Sequence, residues 1–182
     1  MDQFKNFKGK LLVARPHVMR DPNFAESVVY LYEETDNVVI GLTLNKPSTM
    51  TIDDLQRLRG YECSGVAGQL YKGGPVSEQS LMMLHTDDWM STNTIQTSHG
   101  NCISSDELML DKMVQGNLPK CWRLMSGMST WGRNQLIAEI YKHKAWLLVE
   151  PSRSDIFYSV EGLDQWKYAI KLASEQFTES LF

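Results

Sequence analysis

The sequence predicts an α+β protein whose sheet is mixed and mostly antiparallel. Two early runs of β-branched and aromatic residues, 27–32 and 38–44, flank a polar stretch, which is the pattern of a hairpin. Further strand patterns precede, interrupt and follow the helical ones, and the last lies at 145–149. Because strands and helices do not alternate regularly, a purely parallel sheet is not expected.

Proline and capping residues bound the elements of the first sixty residues. A buried strand over residues 11–14 ends at Arg15 and the proline after it, since proline cannot donate a hydrogen bond to a sheet. Segment 45–48 closes the hairpin. Thr51 is a typical helix N-cap followed by two aspartates, so a short helix is expected to end near residue 60.

Glycines organise the middle of the chain. A short strand over residues 69–72 is interrupted by Gly73 and Gly74, which permit positive φ, and a strand resumes over 80–85. A loop of defined shape is expected between these strands. The polar stretch 86–103 contains one weak edge-strand pattern, at 92–95.

Three helices are expected in the second half. Ser104 and Glu107 have the spacing of a capping box, and the helix they begin should stop at Gly116. A strand at 122–125 is followed by a predicted loop, 126–132, that leads into the next helix. The last helix is expected to bury the apolar stripe Leu163, Trp166, Ile170, Ala173 and Phe177.

The composition is that of one globular domain over residues 1–182, with 42% apolar and 22% charged residues. The formal net charge of −4 opposes general nucleic-acid binding, which needs a concentrated basic surface. The first twenty residues are nevertheless basic, and acidic residues follow at 26–36. We expect these charges to pair across neighbouring strands, and the alternative is an anion-binding edge.

No cofactor or metal site is predicted. Cys63, Cys102 and Cys121 show no paired spacing, so they are expected to be reduced thiols. Cys63 lies in a loop of small residues, and Cys102 precedes a predicted helix, which can lower the pKa of a thiol. The early apolar run 11–14 is too short for a signal peptide or a membrane span, which predicts a cytoplasmic protein without a membrane partner.

The sequence contains no complete catalytic motif. Ser129 lies between a predicted strand and a predicted helix, as the nucleophile of a serine hydrolase does, but bulky Trp131 stands where that motif needs glycine. His85, at the end of an apolar strand, is more typical of a hydrogen-bonded structural histidine than of a base. The pair Gly73-Gly74 alone is weak evidence for phosphate binding.

An ordered set of segments along nearly the whole chain resembles the YqgE/AlgH family of bacterial proteins. The segments that carry the resemblance are Leu11-Leu12-Val13-Ala14-Arg15-Pro16, Asp21-Pro22-Asn23-Phe24, Gly41-Leu42-Thr43-Leu44-Asn45-Lys46-Pro47, Gly73-Gly74-Pro75-Val76, Leu84-His85, Trp131-Gly132, Gln135-Leu136, Glu139, Trp146, Ile156-Phe157 and Trp166. The family typically has Gly-Tyr-Ala-Gly where this chain has Gly127-Met128-Ser129-Thr130. That tyrosine is therefore not obligatory for any shared chemistry, or this member has lost it.

The resemblance implies a compact α+β fold whose bifurcated sheet curls into a pseudo-barrel flanked by helices. It implies little about activity, because the family is largely uncharacterised. Some members are labelled transcriptional regulators, which describes no mechanism.

The leading hypothesis is a non-catalytic binding or regulatory module that takes a protein partner or a small anionic ligand. We expect its site where the junctions at Arg15, at Asn45-Lys46 and at Gly73-Gly74 converge, with Arg15 and Lys46 offering charge-assisted hydrogen bonds. The candidate site residues are Arg15, Asn45, Lys46, Gly73, Gly74 and His85.

Two alternatives remain open. The first is an enzyme of unrecognised type that uses His85 or an exposed cysteine together with Asp87 or Glu139, and it predicts a strongly perturbed pKa in a cleft. The second is direct DNA binding, which only the family label suggests.

Overall fold

The computed structural model describes residues 6–62 and 65–181. Its strands are β1 Leu11–Ala14, β2 Val28–Glu34, β3 Val38–Thr43, β4 Pro47–Thr51, β5 Gln69–Lys72, β6 Val76–Thr86, β7 Thr94–Gln96, β8 Asn101–Ser104, β9 Trp122–Gly132 and β10 Trp146–Val149. Its α-helices are α1 Ile52–Leu58, α2 Glu107–Val114, α3 Arg133–Ile137 and α4 Gly162–Ser180. A π turn, Ala138–Lys142, continues α3, and a 3₁₀ turn, Ser154–Ile156, precedes α4.

The sheet runs in the order β10-β1-β2-β3-β9-β6-β8-β7 and forks at β9. The end of β9 pairs with β3 through Ser129–Gly132, while Met125 and Ser126 pair with β5, which in turn pairs with β4. Among the described strand pairs, only β5 with β9 is parallel. The predicted α+β class with a mostly antiparallel, bifurcated sheet is confirmed.

The run 11–14 is apolar without alternation because β1 has a strand on either side and is covered on both faces. Successive side chains of a strand point to opposite faces, and both faces are covered here. Leu11 and Val13 pack into the cluster beneath α4, whereas Leu12 and Ala14 pack into the cluster that contains Leu136 of α3. All four residues of β1 are therefore buried.

Strand β9 is longer than predicted, because residues 126–132 form a strand and not a loop. Serines and glycines weaken the local signal, but Ser129 pairs with Gly41 of β3, and Met128 pairs with Val76 of β6. Ser129 is only 2% exposed within this strand. The geometry of a hydrolase nucleophile at Ser129 is therefore absent.

The capping prediction is confirmed for α1 and wrong for α2. Thr51 and Asp54 form a capping box at the start of α1. At α2 the cap is Asp106, whose carboxylate accepts from Met109 N at 2.9 Å. Ser104 instead ends β8, and its hydroxyl contacts His85 Nε2 at 2.7 Å. A partner in the sheet thus displaces a local hydrogen bond that the sequence alone favours.

Helix α4 docks partly through the predicted stripe, since Trp166, Ile170 and Ala173 pack against the core, but its most buried face is rotated from that stripe. Its buried residues are Gln165, Ala169 and Leu172, at intervals of four and three. Leu163 and Phe177, which we expected to be buried, are 46% and 67% exposed. The rotation follows from Gln165, whose side chain bonds the buried guanidinium of Arg123 and the carbonyl of Ile156.

The expected pairing of the N-terminal charges is confirmed only in part, because one of two lysines just before β1 pairs with the acidic stretch 26–36 and the other pairs elsewhere. Lys8 Nζ lies 3.8 Å from a carboxylate oxygen of Glu33, and Lys10 Nζ lies 3.5 Å from one of Glu150. Within the described ranges, no helix is both long enough and apolar enough to cross a membrane.

Candidate functional site

Two of the three predicted junctions lie side by side at the fork in the sheet. Lys72 N donates to Lys46 O at 2.8 Å, and Thr43 N donates to Gly73 O at 2.8 Å. The chain that leaves β3 is therefore hydrogen-bonded to the chain that leaves β5. Segments 45–47 and 73–75 border one surface of the molecule.

A cleft of about 470 Å³ opens at this place, and we refer to it as the lysine cleft. Its lining residues are Pro22, Asn23, Thr43, Lys46, Pro47, Lys72, Gly74, Pro75, Glu78 and Ser126. Thr43 is only 2% exposed, and its hydroxyl has no hydrogen-bond partner. Lys72, by contrast, is exposed. The cleft thus combines two ammonium groups with an unsatisfied buried hydroxyl.

Lys46 is partly engaged in holding the wall of the cleft. Its Nζ donates to Ala25 O at 2.6 Å, which ties down the loop that contributes Pro22 and Asn23. Burial lowers the pKa of Lys46, and the nearby Glu26 carboxylate opposes that shift. An ammonium has three N–H groups, so Lys46 keeps donors for a second partner.

Gly73 and Gly74 are required by close packing against β9. A Cβ on Gly73 would lie 2.3 Å from Gly127 O, and one on Gly74 would lie 2.2 Å from the carbonyl carbon of Met128. No side chain fits at such distances. The glycines therefore bring two backbone segments together, and their presence is explained without a phosphate.

Asn45 is a structural residue beside the cleft. It is 2% exposed, and its Oδ1 accepts from Val28 N at 2.9 Å. Its Nδ2 donates to Glu26 O and to Gly162 O, both at 2.9 Å. Both amide N–H groups are therefore occupied, which leaves Asn45 no donor for a ligand.

Arg15 does not line the lysine cleft. Its backbone N–H donates to Ala145 O at 2.9 Å, and its buried Nε has no hydrogen-bond partner. The loop that follows Arg15 reaches the cleft through Pro22 and Asn23. The structure thus brings two of the predicted junctions together at the cleft, and the third, at Arg15, does not line it.

His85 is buried in the sheet, away from the lysine cleft. It is 0% exposed; Nδ1 lies 2.7 Å from Thr86 O, and Nε2 lies 2.7 Å from Ser104 Oγ. A carbonyl oxygen can only accept, so Nδ1 carries the proton and Nε2 accepts from Ser104. Burial lowers the pKa of His85, although the Thr86 carbonyl opposes the shift. A neutral, structural histidine results.

The cysteines offer little reactive chemistry where they are described. Cys102 is 3% exposed, and burial raises the pKa of its thiol. Cys121 is half-buried, and Cys63 lies outside the described residues. In the part of the chain that the structure describes, no group of three or more His, Cys, Asp or Glu side chains could hold a metal ion.

A second cleft, of about 400 Å³, lies on the other side of β5, and no sequence pattern predicts it. We refer to it as the arginine cleft; its lining residues are Ala67, Gly68, Gln69, Tyr71, Trp122, Arg123, Tyr158 and Glu161. Lys72 and Tyr71 are neighbours on β5, so they point to opposite faces. The one signal available beforehand was an arginine inside an otherwise apolar strand, 122–125.

With this geometry established, comparison with known proteins identifies the family. The model of the family described as AlgH-like (DUF179) matches residues 11–178. The chain therefore belongs to the AlgH-like family, as the resemblance indicated. It is 31% identical to a UPF0301 protein of Marinomonas over 159 residues, which cover 86% of this chain and 84% of that protein. A UPF0301 protein of Francisella philomiragia is 29% identical over 187 residues, covering 98% and 96%.

Solved structures share the fold. The solution structure of the AlgH protein from Pseudomonas aeruginosa superposes with a TM-score of 0.75 at 27% identity, covering 91% of this chain and 88% of that one. The crystal structure of DIP2367 from Corynebacterium diphtheriae gives a TM-score of 0.70 at 22% identity, covering 91% and 86%. The latter likeness concerns the fold alone. The names of these relatives describe no activity.

Proposed function

We propose that this AlgH-like chain is a non-catalytic binding module that holds a small anion in the lysine cleft. The observation that carries the proposal is the hydroxyl of Thr43, which is buried without a partner on the wall shared with Lys46 and Lys72. A buried hydroxyl without a hydrogen bond is unfavourable, so a rotation about the Cα–Cβ bond of Thr43 that brings its hydroxyl to a bound anion would remove that penalty.

The charges of the cleft favour a small anion over an extended one. Lys46 and Lys72 supply two positive charges, and Glu78 opposes them with one negative charge. Hydrogen bonds from an ammonium to a phosphate or carboxylate are stronger than those between neutral groups. A long polyanion would meet Glu78 and a protein whose formal net charge is −4.

The alternatives receive less support. An enzyme based on His85 needs a base that a substrate can reach, whereas this ring is 0% exposed. Direct DNA binding needs a basic surface, which the negative net charge opposes. A regulatory role through a bound ligand is compatible with the proposal. We also expect a cytoplasmic location, which fractionation of cells that express the protein would test.

The proposal is tested by adding phosphate, sulfate and acetate to the wild type and to two cleft variants. Thr43→Val removes the unpartnered hydroxyl with little change in volume, so the fold should tolerate it. Lys72→Gln removes an exposed charge. We expect at least one anion to raise Tm, and each variant to weaken its binding by about tenfold, as loss of one charge-assisted hydrogen bond predicts.

The matched control is Lys171→Gln, which removes an exposed lysine from α4. This variant should bind the anion as the wild type does. The proposal fails if none of the three anions raises Tm. It also fails if the cleft variants and Lys171→Gln respond alike.

A further inference from the structure

We propose that the arginine cleft binds a small zwitterion, with a carboxylate held by Arg123 and an ammonium held by Glu161, as in a free α-amino acid. This goes beyond anion binding in the lysine cleft, because the two clefts share no lining residue. Three features support this proposal: a buried guanidinium that no carboxylate contacts directly, its N–H groups without a hydrogen-bond partner, and a carboxylate at the rim of the cleft.

The guanidinium of Arg123 is buried and makes no direct ion pair within the described residues. It is 6% exposed, and within the described residues no carboxylate oxygen lies within 4.0 Å of it. Its acceptors are three neutral oxygens: Leu44 O at 2.9 Å, Gln165 Oε1 at 2.6 Å and Val160 O at 2.6 Å. Buried charges are normally paired, so this site favours an incoming anionic group.

Two of the five N–H groups of Arg123 have no hydrogen-bond partner among the described residues. Leu44 and Gln165 occupy both N–H groups of Nη1, and Val160 occupies one of the two on Nη2. The remaining donors are on Nε and on Nη2. A carboxylate has two oxygens and can accept from both nitrogens. The guanidinium also stacks over the ring of Tyr71, 4.8 Å from its centroid, which fixes its plane.

Glu161 supplies the carboxylate that would bind the ammonium group of the ligand. It is exposed at the rim, and its Oε2 accepts from the hydroxyl of Tyr71 at 2.9 Å. This bond orients the carboxylate and leaves Oε1 for a cation. The charges of Arg123 and Glu161 cancel, so a free phosphate gains little here. A ligand with both signs of charge satisfies both groups.

Aromatic residues line the rest of the cleft. Trp122 and Tyr158 are half-buried there, and the hydroxyl of Tyr158 donates to Asn101 Oδ1 at 2.8 Å. Burial raises the pKa of Tyr158, so this ring adds no charge. Aromatic surfaces favour an apolar side chain on the ligand, and a ligand cation is attracted to their faces. An amino acid with an aromatic or aliphatic side chain fits this lining.

The experiment compares three probes of nearly the same shape: phenylalanine, 3-phenylpropionate, which lacks the ammonium, and phenylalaninamide, which lacks the carboxylate. The side-chain Nε–H signal of Arg123 is followed by NMR during each titration. We expect phenylalanine to shift this signal. Each of the other two probes should bind with an affinity at least about tenfold lower than that of phenylalanine. The proposal is overturned if phenylalanine leaves the signal unchanged or if phenylalaninamide binds equally well.

A variant at the rim tests whether Glu161 recognises the ammonium group of the ligand, because it leaves Arg123 unchanged. Glu161→Gln should make phenylalanine and 3-phenylpropionate bind with the same affinity. The control Glu179→Gln lies exposed at the far end of α4 and should preserve the tenfold preference. A preference that survives Glu161→Gln would contradict the proposal. Thr43→Val should leave phenylalanine binding unchanged, which separates this site from the lysine cleft.

Discussion

Asn45 donates an amide N–H to the carbonyl oxygen of Gly162, which lies 117 residues further along the chain, at 2.9 Å. The bond connects the end of β3 to the first turn of α4. Lys46, the next residue, lines the lysine cleft, while Glu161 lines the arginine cleft. One buried carboxamide therefore fixes the positions of a residue from each cleft.

Replacing Asn45 by aspartate should destabilise the protein strongly. A carboxylate cannot donate to the carbonyls of Glu26 and Gly162, and it would be buried beside them. We expect a loss of about 3 kcal/mol, or a fall in Tm of about 6–12 °C for a chain of this size. Thermal unfolding followed by circular dichroism measures it. The exposed control Asn37→Asp should change Tm by less than about 2 °C, and similar losses in both variants would contradict the assigned role.

Gly127 and Gly116 form a matched pair for testing the close approach of β9 to the segment after β5. Both have φ of +75°. A Cβ on Gly127 would lie 2.2 Å from Gly74 O, whereas one on Gly116 would have nothing within 4 Å. Gly116→Ala should therefore cost about 1 kcal/mol from backbone strain alone, and Gly127→Ala about 3 kcal/mol or more.

Urea unfolding of both variants provides the measurement. Because the backbone strain is common to the pair, the difference between them reports the steric contact. Equal losses of stability would show that the contact between Gly127 and Gly74 is relaxed at little cost.

His85 should make stability depend on pH. Its pKa is lowered in the folded state, so below the unfolded value of about 6.5 the unfolded chain binds a proton that the folded chain does not. The contribution of neutral His85 to the free energy of unfolding is therefore complete above that pH. It is lost as the pH falls toward the lowered pKa, by up to about 1.4 kcal/mol per pH unit.

The unfolding free energy is measured across this window for the wild type, for His85→Gln and for the exposed control His143→Gln. His85→Gln should flatten the dependence, even if it lowers stability at every pH. His143→Gln should retain the slope. A slope that is the same in all three proteins would assign the pH dependence to other groups.

The fold was largely predictable because its strands carry strong local patterns. The predicted boundaries of β1 and β5 match the observed ones, and Thr51 caps α1 as expected. Predictions failed where a distant partner decides the outcome. Ser104 has the signature of a cap, yet it bonds His85, and residues 126–132 form a strand because β3 and β6 pair with them.

The candidate sites were less predictable than the fold. The glycines and Lys46 mark the surroundings of the lysine cleft, but Thr43 contributes through burial without a partner, which no sequence pattern reports. Arg123 lies where the sequence predicts only a short apolar strand, and its acceptors lie on two distant segments, at Leu44 and around the start of α4. Sequence spacing cannot reveal that a buried guanidinium donates to three neutral oxygens and, among the described residues, contacts no carboxylate directly.

Strand β9 pairs with three strands that precede it in the chain, and this order matters during synthesis. Strands β3, β5 and β6 all precede β9, and each uses it as a neighbour. Until about two thirds of the chain has left the ribosome, these strands have open edges that can pair with another nascent chain. The arrival of residues 122–132 closes all three edges at once, so aggregation should depend on the speed at which this one segment is made and docked.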